Sequence, residues 1–214
     1  MGMKPVKVIE KLLLRECRAR EESRVYDSCI VCTSSVVWRI SSLFPESYIA
    51  SNGAAQVFPC LATIYYAVKE LGVPLVAIVG STATPLERFV EINLQSAEFE
   101  FKLLRKTYEE NAELLLTMYD DKRLFNAALI ELNIDSQIEK LLSLSEFSEL
   151  VKREELAICG LIFDEALVYG DSPSFYLVNL NGISDPEEIR GSELLDSLPE
   201  AVKKQKIKRI HVQL

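Results

Sequence analysis

Short runs of apolar residues alternate with longer amphipathic patterns along the central part of this chain. Such runs are typical of buried strands. A further strand after a Gly-Asp-Ser-Pro turn is predicted to be an antiparallel edge. Because continuously apolar strands separated by helices indicate a parallel sheet covered on both faces, the pattern predicts an α/β fold. The predicted strands are 28–32, 47–50, 73–79, 156–163 and 174–178.

Helical periodicity fills most of the remaining chain. An N-terminal amphipathic helix over 6–20 places Val8, Ile9, Leu12, Leu13 and Cys17 on one face. Gly72 is a suitable C-terminal cap for a helix over 59–71. Thr84-Pro85-Leu86-Glu87 has the form of a capping box, which predicts a helix start at Thr84. Further helical patterns cover 91–105, 109–119 and 134–142, and 179–197 is predicted to be a flexible tail.

Composition limits the class of protein. The 214 residues are 49% hydrophobic and 26% charged, enough for one domain with a substantial core. A net charge of -8 and a pI near 4.9 argue against nucleic-acid or membrane partners, which need clustered cations. The basic stretch 203–209 is interpreted as a solvated helix end leading into a last strand.

The cysteine content and the N-terminus predict a cytoplasmic location. The five cysteines are scattered and odd in number, unlike a secreted disulfide framework. Residues 1–20 mix charges into their apolar positions, so they do not resemble a signal peptide. No apolar run approaches the roughly 20 residues that span a bilayer.

Small polar residues follow three of the predicted parallel strands. Ligands bind beyond the carboxyl ends of such strands, so 33–35, 51–54 and 81–84 are expected to form one pocket. With backbone N–H groups at a helix start, it could bind a small anion such as bicarbonate or phosphate, although ordinary helix capping would use the same donors. The candidate binding residues are Cys32, Ser34, Ser35, Asn52, Gly53, Ser81, Thr82 and Thr84.

Cys29 and Cys32 have the CxxC spacing of redox or half-zinc sites. Residues three apart on a strand point to opposite faces, so the two sulfurs are not expected to share a pocket. Cys29 is expected to be a core residue, and Cys32 to lie at the strand end near the pocket.

Three segments of the chain resemble the β-carbonic anhydrase family. Residues 66–80 are similar to the family's passage from a helix into the strand that carries its GHxxCG motif. Residues 132–142 look like its NVxxQVxxL helix, and 156–163 look like the strand that follows. The resemblance covers about residues 25–180. It implies a β-carbonic-anhydrase-like sheet, an N-terminal helix packed on a partner subunit, a homodimer or a higher homo-oligomer, and zinc-dependent hydration of carbon dioxide.

The zinc motifs of that family are largely missing from this chain. Its CxDxR motif falls on 32–36, which keeps Cys32 but has Ser34 and Val36 in place of the aspartate and arginine. Its GHxxCG motif falls on 80–85, where Ser81 and Thr84 replace the histidine and cysteine ligands. We therefore hypothesise a protein without zinc or carbon dioxide hydration, which acts in small-anion binding or in assembly.

Two alternatives remain at this stage. The first is a carbonic-anhydrase-type lyase that holds zinc through Cys32 with non-standard ligands such as Cys60, Cys159 or His211. The second is an interaction protein whose pocket is filled by its own side chains. The expected organisation is a dimer arm over 1–24, the β-carbonic-anhydrase-like domain over 25–180 and a C-terminal extension over 181–214. Arg39 is interpreted as a surface helix charge.

Overall fold

A five-stranded sheet forms the centre of the molecule in a computed structural model that describes residues 25–92 and 98–210. The strand order is β2-β1-β3-β4-β5. The first four strands in that order are parallel, and β5 runs antiparallel to β4 at one edge. The predicted fold class is confirmed. The strands are β1 Ser28–Thr33, β2 Ser47–Asn52, β3 Leu75–Ser81, β4 Ala157–Asp164 and β5 Ser174–Leu180.

Helices cover both faces of this sheet. Short 3-10 turns at Phe58–Cys60 and Glu193–Leu195 accompany them. Gly72 has a φ of +67°, a left-handed conformation that favours glycine, and it follows α2 as the sequence predicted. The helices are α1 Val37–Leu43, α2 Leu61–Lys69, α3 Glu87–Val90, α4 Glu98–Met118, α5 Lys122–Leu142, α6 Ser145–Lys152, α7 Pro186–Arg190 and α8 Glu200–Lys206.

The sheet separates two hydrophobic layers. In β1, Cys29 and Val31 belong to the larger layer, whereas Ile30 and Cys32 belong to the smaller one. This alternation confirms that the two cysteines point to opposite faces. The larger layer contains most of the buried side chains of α5, and the smaller one includes Ile40 of α1.

Two glycines let α5 lie close against the sheet. A Cβ added to Gly80 in β3 would come within 2.5 Å of the Ile130 side chain. A Cβ added to Gly160 in β4 would come within 2.3 Å of the Ile134 side chain. These separations are too short for real contacts, so the helix packs at this depth only because both positions lack a side chain.

The predicted helix start at Thr84 is wrong. The helix α3 begins at Glu87, and no side chain of the preceding residue, Leu86, caps it. The backbone N–H of Leu86 donates instead to Asn126 Oδ1 (3.1 Å). The Thr84 hydroxyl contacts Ser35, which follows the neighbouring strand β1. A capping sequence is a local preference, and here tertiary hydrogen bonds use the same groups.

The predicted flexible tail over 179–197 is also wrong. Asp185 caps α7 by accepting from the backbone N–H groups of Glu187 and Glu188, and Ile189 is completely buried. The break predicted between 105 and 109 is absent, because α4 is continuous there. The basic stretch forms the end of α8, and Ile207 then makes a single parallel bridge to Leu177, while Lys203 is buried.

Several expectations concern residues outside the described ranges. The N-terminal helix with Leu12, Leu13 and Cys17 is one of them, and His211 is another. Within 25–92 and 98–210, no helix combines the length and apolar character that a membrane span requires.

Candidate functional site

The carboxyl ends of β1 and β3 lie side by side at the point where the direction of strand addition reverses. From β1 the chain moves to β2 on one side, and it then crosses to β3 on the other side of β1. In open α/β sheets this position leaves a crevice between the two strand ends. Residues 33–35 and 81–84 extend from these two strands, so two of the three predicted segments lie next to each other at this edge.

Three hydroxyl groups form a chain across the crevice. Thr33 Oγ1 lies 3.3 Å from Ser35 Oγ, which lies 2.6 Å from Thr84 Oγ1. Thr33 and Thr84 are buried, and Ser35 is exposed. Three hydroxyl protons serve only two hydrogen bonds within this group, so one donor is left over. Ser34 is also exposed, and its backbone N–H donates to Asn52 O (2.9 Å).

Ser81 contacts an ion pair at the same edge of the sheet. Its side chain is completely buried and donates to Glu165 Oε2 (3.3 Å), and it accepts from the backbone N–H of Ala83 (3.2 Å). Glu165 Oε1 lies 3.5 Å from Arg39 Nε. The interpretation of Arg39 as a surface helix charge is therefore incomplete, because its guanidinium also lies 5.0 Å from the centre of the Phe163 ring.

Thr82 belongs to a separate hydrogen-bonded group that shapes the loop after β4. Its hydroxyl donates to Asp164 Oδ1 (3.0 Å) and accepts from the backbone N–H of Ala166 (2.9 Å). Asp164 is completely buried and accepts from the N–H groups of Val168 and Tyr169 (2.9 and 2.8 Å). These groups hold the loop that places Glu165 beside Ser81.

Asn52 and Gly53 turn away from the hydroxyl groups. The Asn52 side chain closes the loop after β2: its oxygen accepts from the N–H of Gln56 (2.8 Å), and its nitrogen lies 3.5 Å from Cys60 Sγ. A Cβ on Gly53 would come within 2.5 Å of the Phe89 ring, so this ring covers the glycine. The structure therefore brings 33–35 and 81–84 together, while the Asn52 side chain contacts the loop of 54–60 and Gly53 lies under Phe89.

Of the cysteines considered as metal ligands, Cys32 and Cys159 are buried on different strands, whereas Cys60 is half-buried in the 3-10 turn before α2. Burial raises the pKa of Cys32 to about 12, with a smaller contribution from Cys60. Burial also raises the pKa of Cys159 to about 12. Cys32 lies on β1 and Cys159 on β4, with β3 between them, so about 10 Å separates the two backbones. In the part of the chain that the structure describes, no three His, Cys, Asp or Glu side chains form a group that could hold a metal ion.

Two polar residues of this edge, Glu165 and Asn126, were missed in the sequence. Glu165 directly follows β4, and its position at a strand end was a usable signal. Asn126 was also missed. From the N-terminal part of α5 it donates to Thr82 O and Thr84 O (3.1 and 3.0 Å), and no local pattern distinguishes it from an exposed helix residue.

Comparisons with known proteins identify the architecture around this edge. A family model described as carbonic anhydrase matches residues 26–167. No curated protein sequence matches the chain. Among solved structures, the β-carbonic anhydrase CafA of Aspergillus fumigatus is 18% identical with a TM-score of 0.63, covering 87% of this chain and 86% of its own.

Two other solved structures have the same fold. A Coccomyxa β-carbonic anhydrase, determined in complex with acetazolamide, is 12% identical with a TM-score of 0.60, covering 94% of this chain and 86% of its own. One of two tetrameric β-carbonic anhydrases from Sordaria macrospora is 19% identical with a TM-score of 0.59, covering 66% of this chain and 77% of its own. At these identities the likeness concerns the fold.

Proposed function

The chain belongs to the β-carbonic anhydrase family, and on this basis we propose that it is a member without zinc or carbon dioxide hydration that binds a small anion. The single observation that carries the proposal is that the side chains at the two substituted ligand positions form hydrogen bonds within the protein. Ser81 donates to Glu165, and Thr84 contacts Ser35, so both side chains take part in hydrogen bonds within the protein.

The donors at these positions do not fit a catalytic zinc. Such a site needs about three nitrogen, sulfur or carboxylate ligands and one open position for water. Serine and threonine hydroxyls remain protonated near neutral pH, so they are poor replacements for imidazole and thiolate. Only Cys32 keeps a ligand of the family's type, and no zinc step is assigned to this chain.

The remaining chemistry of the crevice suits a small anion. Ser34 and Ser35 are exposed, and Arg39 lies one helical turn beyond Ser35 with its side chain 37% exposed. Arg39 Nε is within ion-pair distance of Glu165 but makes no hydrogen bond among the described residues. Guanidinium and hydroxyl donors are the groups that recognise bicarbonate or phosphate. The cysteines within the described ranges are unpaired, which is consistent with a cytoplasmic location as part of the same proposal.

One preparation of the protein tests both halves of the proposal. After expression in zinc-supplemented medium, we expect less than stoichiometric zinc by elemental analysis and no acceleration of carbon dioxide hydration in a stopped-flow assay. Stoichiometric zinc together with fast hydration would overturn the proposal and would favour the lyase with non-standard ligands.

Bicarbonate and phosphate titrations followed by NMR test the binding half. We expect saturable shifts in the wild-type protein and binding weakened about two- to fivefold in Arg39→Gln, as for the loss of one partly exposed charge. Arg153→Gln is the matched control, because Arg153 is exposed directly after α6 and lies in an ion pair with Glu149. Equal binding by the two variants, or no saturation, would contradict an anion site at this edge.

A further inference from the structure

A cleft lined by aromatic and basic side chains lies between α4, the end of α5 and the 3-10 turn before α2. Its volume is about 320 Å³, which is within the usual range of small-ligand sites, roughly 300–1,000 Å³. The lining side chains are Phe58, Phe99, Glu100, Lys102, Leu103, Lys106 and Lys140.

The apolar side of this cleft comes from a second stripe of α4. Phe99, Leu103 and Lys106 follow one another at helical spacing, so they share a face. The core-facing stripe is a different one and includes Phe101 and Leu104, which are buried. Phe99 is 61% exposed, although it packs edge-on against Phe58 with ring centres 4.4 Å apart. Phe99 of the helix and Phe58 of the 3-10 turn thus form an aromatic pair that the described residues leave partly exposed.

The basic side of the cleft is unusual on an acidic protein. The chain carries a net charge of -8, yet three lysines and one glutamate line this site. Lys106 is 3.7 Å from Glu110, whereas no carboxylate within 25–92 or 98–210 pairs with Lys102 or Lys140. The Lys140 ammonium lies 5.6 Å from the centre of the Phe58 ring, so charge and aromatic surface adjoin.

We propose that this cleft binds a small amphipathic carboxylate, with its apolar body against Phe58 and Phe99 and its carboxylate facing Lys102 and Lys140. Rings and methylene groups gain from contact with the exposed aromatic pair, since this removes apolar area from water. The two lysines supply the opposite charge. Glu100 on the rim disfavours a ligand with several negative charges, so the structure favours a monocarboxylate. The site lies on different elements from the Ser35–Thr84 crevice and is independent of the function proposed there.

Calorimetric titration with 1-naphthoate tests the proposal. Two comparison probes separate the contributions: 1-naphthalenemethanol has the rings without the charge, and acetate has the carboxylate without the rings. We expect 1-naphthoate to bind more tightly than either, and its affinity to fall when sodium chloride is raised. Removing both cations in Lys102→Gln/Lys140→Gln is expected to weaken its binding about three- to tenfold, as for two partly exposed charges. Phe99→Ala is expected to weaken the binding of both naphthalene probes.

Lys69→Gln/Lys122→Gln is the matched control, because it removes two exposed lysines from other surfaces and changes the net charge equally. Thermal unfolding of each variant checks that it is folded, which the exposure of Lys102 and Phe99 and the partial exposure of Lys140 favour. Unchanged binding of 1-naphthoate by the cleft variants would overturn the proposal. Failure of 1-naphthoate to bind at millimolar concentration, or equal binding of the neutral probe, would overturn it as well. None of these results depends on zinc or bicarbonate, so the two proposals fail separately.

Discussion

At the residue scale, Arg209 provides the clearest example of a charge stabilised by its surroundings. Its side chain is 2% exposed and lies between two carboxylates of α5. Two guanidinium nitrogens donate to Asp135 (3.0 and 2.7 Å), and Nε lies 3.6 Å from Glu131. Such a geometry compensates the cost of removing these charges from water.

Neighbouring groups complete this buried network. Tyr169 donates to Glu131 Oε1 (2.6 Å), and the backbone N–H of Ile210 donates to the same atom (2.7 Å). Burial, with a smaller contribution from Glu131, raises the pKa of Tyr169 well above its ordinary value and keeps this hydroxyl protonated as a donor. The network therefore ties the end of the described chain to the core helix.

We expect Arg209→Ala to lower the free energy of unfolding by about 3–5 kcal/mol, because it removes the buried cation that pairs with Asp135 and Glu131. Arg153→Ala, which removes an arginine whose side chain is 59% exposed, should cost less than about 1 kcal/mol. Urea unfolding followed by circular dichroism measures both. Similar losses in the two variants would mean that the network contributes no more than a surface ion pair.

At the element scale, the packing of α5 on β3 and β4 positions the candidate site. The helix crosses the strands over Gly80 and Gly160, and its Asn126 holds the loop that contains Thr82 and Thr84. The strands themselves were predictable, because short apolar runs bounded by turn residues are typical of buried strands. The depth of the helix was not, because it depends on contacts between residues far apart in the chain.

We expect Gly160→Ala to destabilise the protein by about 1–3 kcal/mol, because its new methyl group would overlap the Ile134 side chain and crowd Asn179. Gly191→Ala is the control: its φ is -80°, and the nearest atom to an added Cβ lies 3.6 Å away. Thermal unfolding of the two variants measures the difference. A melting temperature for Gly160→Ala equal to that of the control would show that α5 can shift without cost.

At the scale of the whole molecule, the resemblance implies an assembly larger than one chain. The structural relatives from Sordaria macrospora are tetrameric by their own description. For this chain, the apolar stripe of residues 6–20 supports the proposal of a homodimer in which the N-terminal segment packs on the partner. The proposed division at residues 24 and 180 belongs to the same hypothesis.

Sedimentation velocity tests that assembly. We expect the full chain to sediment as a species of at least twice its 24.2 kDa mass, and Leu12→Glu/Leu13→Glu to shift it towards the monomer, because carboxylates cannot be buried unpaired at an apolar interface. Lys11→Glu introduces a carboxylate among the charged positions and should leave the assembly unchanged. A wild-type monomer, or a double variant that assembles normally, would contradict the dimer arm.

The sequence by itself determined the sheet, the helix α2, most of α4 and the second half of α5, the family and the absence of two zinc-ligand residues, because each depends on residue identity or on periodicity along a short segment. The tertiary structure alone decided which groups the side chains at these two ligand positions contact. Ser81 meets Glu165, Thr84 meets Ser35, and Phe89 covers Gly53. The hydrogen bonds of Ser81 and Thr84 link residues 84 and 49 positions apart, and each depends on the register of strands and the direction of a side chain. A capping pattern such as 84–87 shows only which local bonds are available, whereas the folded chain determines which of them form.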